Sequence, residues 1–229
     1  PFARIERLDT DITNGDSEKT QEILNAFRDG EIDILLGTQM IAKGLNFPKV
    51  SLIGILNADS SLALPDFRAG ERTFDLLHQV AGRAGRYRDD GKVIIQTTQP
   101  TAPAIQMAAT NDLEHFYERE LSQRKETMFP PFTRLVNLSI RGKMEEKVKE
   151  AAMALGDMAS TLSDSDEEIE VFSPSPCLVE KMAGQWRWHV LLRSQSISRL
   201  LNFTRTLLSS FRLPSSLHLE VDVDPITLF

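Results

Sequence analysis

Short apolar runs alternate with stretches of helical period between Pro1 and about Pro100, and this alternation limits the possible folds more than anything else in the chain. The runs at 5–8, 32–36, 51–56 and 92–98 read as strands, three of them apolar enough throughout to be buried on both faces. Between them, residues 17–28 carry Ile23, Leu24 and Phe27 at helical spacing, and residues 71–81 carry Phe74, Leu77 and Val80 with a glycine just beyond. Strand and helix in alternation predict an α/β fold with a parallel sheet covered by helices. In such sheets the chemistry lies at the carboxyl ends of the strands. Gly37-Thr38-Gln39 therefore falls on a functional edge.

A different order follows. Residues 101–128 read as a helical connector, closed where Pro130 and Pro131 cannot continue a helix. From 129 to 229 the order is strand (133–141), helix (144–162), strand (169–172), strand (185–192), helix (196–211) and strand (217–223). Strand–helix–strand given twice predicts a second, smaller α/β domain of split-βαβ type. The acidic, serine-rich segment 163–168 reads as a turn between helix and strand.

With 229 residues, 41% hydrophobic and 26% charged, the chain has material for two cores, and disorder, collagen-like repeats and coiled coil are poor descriptions of it. Its apolar runs are far too short to span a membrane, and no basic-then-apolar leader opens it. One cysteine, Cys177, excludes an internal disulfide and a cysteine-rich zinc site within this sequence, and fits a reducing compartment. The net charge of −7 argues against a protein held on nucleic acid by bulk charge. Locally the balance reverses: residues 181–219 contain no Asp or Glu but contain Lys181, Arg187, Arg193, Arg199, Arg205 and Arg212. The plain reading is a solvated surface. The sharper reading makes Arg187, Arg193, Arg199 and Arg205 phosphate contacts, which position DNA without reading its sequence.

Two stretches carry chemistry. In His78-Gln79-Val80-Ala81-Gly82-Arg83-Ala84-Gly85-Arg86, continued helix places Gln79, Arg83 and Arg86 on one stripe, and the glycines leave room for close approach. Guanidinium suits phosphate because its donors match two oxygens at once and its charge persists at any physiological pH. The bland alternative pairs both arginines with surface carboxylates at a helix end. In the second stretch, a buried strand runs into Gly37-Thr38-Gln39-Met40-Ile41-Ala42-Lys43-Gly44, exposing backbone N–H groups and the Thr38 hydroxyl where an anion can bind.

These two stretches, in this order, resemble motifs V and VI of superfamily 2 helicases. With Pro65-Asp66-Phe67-Arg68-Ala69-Gly70-Glu71-Arg72, Phe129-Pro130-Pro131-Phe132, Trp186-Arg187-Trp188 and Asp222-Val223-Asp224-Pro225, the likeness narrows to the primosomal helicases that restart bacterial replication, and it runs from Arg4 to Pro225. The resemblance implies a RecA-like second helicase lobe over residues 1–100 and a C-terminal DNA-binding domain over 129–229. It implies that Arg83 and Arg86 face the phosphates of ATP held with Mg2+ on another lobe, that Gln79 shares that cleft, and that Lys43 and Gly44 link it to a DNA-backbone contact at Thr38 and Gln39. Asn46 departs from the acid that many such proteins carry there. Forked DNA, single-stranded DNA-binding protein and primosome proteins are the implied partners, with no membrane, and the bacterial cytoplasm is the implied location.

No Gly-x-x-x-x-Gly-Lys-Ser/Thr loop occurs, so nothing in this sequence cradles the β and γ phosphates. The family's cysteine-rich zinc module is likewise expected upstream, and the start at Pro1 without Met reads as a fragment. No ATPase activity is expected from the chain alone. The competing reading is a non-catalytic DNA-binding or docking module on a helicase-like scaffold. Trp186 and Trp188 share one face of their strand, opposite Arg187 and His189, and serve either the core or base stacking.

Overall fold

The computed structural model describes residues 3–8, 17–38, 47, 49–84, 91–164 and 166–228, with the backbone alone at 83 and 84. The chain divides into two compact units, 1–63 with 68–118 and 64–67 with 119–229.

In the first unit, β1 (Ile5–Leu8) pairs in parallel with β2 (Ile34–Gly37), joined across α1 (Ser17–Asp29). Helix α1 ends because Gly30 takes φ +88°, which lets the Glu31 N–H donate to the Ala26 carbonyl at 2.9 Å. Arg4 fixes the start of β2: its backbone N–H and Nε donate to Asp33 Oδ2 at 2.8 and 3.0 Å. A second parallel pair, β3 (Leu52–Ile55) with β4 (Lys92–Ile95), encloses α2 (Ala69–Ala84) in sequence. The parallel pairing expected from the strand–helix alternation is thus present. The expected burial on both faces is not: Ile34, Leu36, Leu52 and Ile94 are exposed. Among the described residues α1 packs against β1 and α2 against β3 and β4, leaving strand residues on the other face uncovered.

The stretch read as one helical connector is two helices, α3 (Pro103–Ala109) and α4 (Leu113–Glu126). Between them Asn111 adopts φ +57°, a left-handed conformation that Asn tolerates better than most residues. Helix α3 packs on α2, where Phe74, Leu77, Ala104, Ile105, Ala108 and Phe116 form the first core. The rings of Phe74 and Phe116 stack with centroids 3.9 Å apart.

The second unit is an antiparallel sheet with helices α5 (Glu145–Ser163) and α6 (Ile197–Ser210) on one face. Its strands are β5 (Arg134–Gly142), β6 (Glu170–Val171), β7 (Ser175–Met182), β8 (Gln185–Ser194) and β9 (Leu217–Val223). The path runs β6-β8-β5-β9, with β7 also on β8. Each helix therefore joins two strands that run the same way and are separated by one antiparallel neighbour. Val136, Leu138, Ile140, Val190 and Leu192 point to the helices and meet Val148, Leu155, Leu200 and Leu207. Each fully buried leucine stabilises the unit by about 1.5–3 kcal/mol through removal from water.

Strand β7 carries no clear sequence signal. Pro176 weakens the pattern, yet an edge strand tolerates a missing N–H, and the register against β8 shifts between Pro176 and Lys181. Its hairpin to β8 turns at Ala183 and Gly184, both with positive φ, as the twist of a two-residue hairpin requires.

Candidate nucleotide and DNA interface

Helix α2 continues through Gly82 to Ala84 rather than stopping near Ala81. Gln79 and Arg83 are therefore one helical repeat apart, and Gln79 is exposed. Open space surrounds Gly82 among the described residues: a Cβ built there meets nothing within 4 Å. The base of the helix is firmly held. Thr73 is buried and its hydroxyl donates to the Ala69 carbonyl at 2.8 Å, while Tyr117 donates to Asp75 at 3.0 Å. Thr38 follows the carboxyl end of β2 and is exposed. The Arg83 side chain, Arg86, Gln39, Lys43, Gly44 and Asn46 lie outside the described residues.

A carboxylate that the sequence does not flag sits at the carboxyl ends of β3 and β4. Asp59 is 6% exposed and accepts from the Thr97 hydroxyl, from the Thr98 hydroxyl at 2.5 Å and from the Thr98 N–H at 2.8 Å. Those hydrogen bonds, Thr97 first and Thr98 next, hold its carboxyl below the ordinary range. The only hint in the sequence is the adjacent Thr97 and Thr98, which lie one strand away and become partners through the β3–β4 pairing.

In the second unit the four arginines expected to meet phosphate differ in their surroundings. Arg193 is enclosed, its side chain 12% exposed. Its Nε donates to Glu170 at 2.8 Å and Nη1 to the Thr127 carbonyl at 2.8 Å, and the guanidinium lies about 5 Å from the ring centres of Phe129 and Phe172. Arg199 meets Glu168 at 3.2 Å and Asp166 at 3.5 Å, but remains exposed, so those pairs are weak. Arg205 is exposed and donates to Asn202 at 3.3 Å. Arg187 is half-buried.

Arg187 shares its face with His189, as the strand period requires. His189 bridges three strands: Nδ1 is 3.1 Å from Asn137 Oδ1 and Nε2 is 3.0 Å from Ser175 Oγ. Burial first and the Arg187 charge second hold its pKa below the ordinary value, so the ring is neutral near pH 7. Burial raises the pKa of the neighbouring Cys177 thiol. Trp186 and Trp188 face the other way and pack on the helix-side core, with Lys149 5.8 Å above Trp188. Their place is the core edge rather than an open stacking platform.

Comparison with known proteins agrees with this division. The family model described as helicase conserved C-terminal domain matches residues 3–88, and that described as primosomal protein N C-terminal domain matches 125–226. The replication restart protein PriA of Treponema pallidum is 46% identical over 228 residues, covering 100% of this chain and 34% of that protein. PriA of Borreliella burgdorferi is 39% identical over 228 residues, covering 100% and 34%. PriA of Bacillus subtilis is 39% identical over 215 residues, covering 93% and 26%. The chain thus spans about a third of the length of these relatives or less. Among the described residues no helix is long and apolar enough to cross a membrane. With both models matched in order and identity sustained along the whole chain, the chain carries a helicase conserved C-terminal domain followed by a primosomal protein N C-terminal domain and is similar throughout to the PriA replication restart proteins.

Proposed function

We propose that the chain is the C-terminal portion of an ATP-dependent DNA helicase that restarts replication at stalled or branched forks, and that it supplies arginines to an ATP cleft completed by another lobe. Arg83 and Arg86 reach the nucleotide phosphates, Gln79 shares the cleft, and Lys43 and Gly44 couple it to a DNA-backbone contact at Thr38 and Gln39. The observation that carries this reading is the helix α2, unbroken through Gly82, which sets Gln79 and Arg83 at one-turn spacing on a base fixed by Thr73 and Tyr117. ATP and Mg2+ would be held mainly by the other lobe: the residues here fit the part of a cationic clamp, and the sequence has no loop to cradle phosphates.

The second unit, read as a split-βαβ domain, contributes DNA contacts through Arg187, Arg199 and Arg205. Single-stranded DNA-binding protein and primosome proteins are its proposed partners and the bacterial cytoplasm its proposed location. Joined to the N-terminal part of a PriA protein, this chain should restore DNA-stimulated ATP hydrolysis. Arg83→Ala and Arg86→Ala should then each lower turnover by about 10³-fold or more with the DNA interaction retained. Unchanged turnover in both variants removes the assigned role.

A further inference from the structure

Three cationic or protonatable side chains form a row across β8, β5 and β9. Arg141 stands directly opposite Arg187 on one neighbour and directly opposite His218 on the other. Cross-strand partners share a face, so all three lie on the face turned away from α5 and α6. Arg141 and His218 are exposed and Arg187 is half-buried. Like charges directly opposed across a sheet destabilise it. Here the repulsion is not relieved from within, since among the described residues no carboxylate forms an ion pair with Arg141 or Arg187, whereas Arg134, Arg193 and Arg199 in the same unit all have such partners.

We propose that the row Arg187–Arg141–His218 is a binding site for the phosphodiester backbone of single-stranded DNA. This assignment rests on the DNA-binding reading of the second unit and goes beyond it, because it adds Arg141 and His218 to Arg187 and so makes a built site of the strand face, apart from the contacts on helix α6. A guanidinium fork matches two phosphate oxygens, and two adjacent forks on rigid strands are preorganised to grip successive backbone oxygens. The next positions on the same face set the direction of the strand. Glu220 and Asp222 follow His218 along β9, opposite Ser139 and Asn137, and would repel a polyanion running along the strands. The backbone therefore crosses the strands along the row. Bases are not read there, since Trp186 and Trp188 are on the opposite face.

The test uses the whole chain and a fluorescently labelled oligodeoxythymidylate, with binding titrated across a range of salt concentrations. For the double variant Arg141→Gln/Arg187→Gln, the slope of log affinity against log salt should fall by about 1.4, that is about 0.7 for each phosphate left without its arginine. Arg141→Lys/Arg187→Lys should keep most of the slope while binding more weakly, which separates charge from any loss of fold. Lys147→Gln/Arg212→Gln, also two charges down on the same unit, should leave the slope close to that of the parent. If the parent binds but the Gln double variant keeps its slope, the row is not the site and the wider DNA reading stands. If the parent does not bind, both are overturned. Release of an acidic peptide rather than of DNA by the same double substitution also overturns the proposal and makes the row a protein-docking site.

Discussion

The guanidinium of Arg193 lies 5.1 Å from the centre of the Phe129 ring, so the cation at the end of β8 lies over an aromatic residue just before the Pro130-Pro131 pair. Phe172 lies 4.9 Å away and Glu170 takes the charge. Arg193→Ala should therefore destabilise the second unit by about 1–3 kcal/mol in urea unfolding, through weaker packing and an unanswered Thr127 carbonyl. Arg193→Lys should recover only part of this, because an ammonium cannot both stack and fork. A variant as stable as the parent but weaker on DNA reverses the structural assignment of this residue.

Gly156 faces Pro174 so closely that a Cβ would lie 2.9 Å from its Cδ and nearer still to its Cγ. Gly156→Ala should push α5 away from the segment entering β7. A drop of about 1–3 kcal/mol is expected by chemical denaturation, despite alanine's better helix propensity. A gain in stability would show that the proline yields freely.

Acid should weaken the first unit through two aspartates. Asp33 is held down at about 2, first by its hydrogen bond from the Arg4 side chain, and Asp59 is lowered by its threonine donors. A depressed carboxyl stabilises above its unfolded value, near 4, and that contribution is lost as the pH falls through the folded value. Stability of the parent should thus drop between about pH 4 and pH 2. Asp59→Asn should lower the thermal midpoint by several degrees near neutrality and reduce the acid dependence, followed by circular dichroism. An identical acid profile in the variant removes Asp59 from this account.

His189 gives the second unit a pH response in a higher window. Its folded pKa is depressed by burial, so the unfolded chain binds its proton first, and stability falls as pH drops from about 6.5 toward the folded value. Urea midpoints compared at about pH 7.5 and about pH 5.5 should differ in the parent. His189→Gln should shrink that difference, keeping hydrogen bonds to Asn137 or Ser175 without a titrating ring. Exposed His115, raised by its hydrogen bond to Asp112, acts in the opposite sense from the first unit. It therefore cannot substitute for the effect.

Periodicity makes much of this fold legible. The four parallel strands of the first unit and both helices of the second lie within a few residues of where apolar spacing puts them. Burial is less legible, because a continuous apolar run such as Ile34-Leu35-Leu36 does not reveal whether a second layer covers it. The break at Asn111 is silent in the sequence because it needs neither Gly nor Pro, and β7 is silent because its proline and register shift hide the strand period. For the candidate sites, Arg187 stands out from an acid-free run. Arg141 and His218 do not, since only the β8-β5-β9 register makes them its neighbours. Asp59 and its threonines are joined in the same way, by pairing between distant strands.

The ladder between β5 and β9 has a mechanical consequence. Arg134 and Asp224 form an ion pair where β5 begins and β9 has just ended, and the Asp224 N–H donates to the Leu135 carbonyl at 2.8 Å. The entry and exit of the second sheet are thus side by side. Tension across them would load the rungs one after another from this corner, so the unit opens like a zip under low force instead of resisting in shear, and the Arg134–Asp224 pair is the first rung to give.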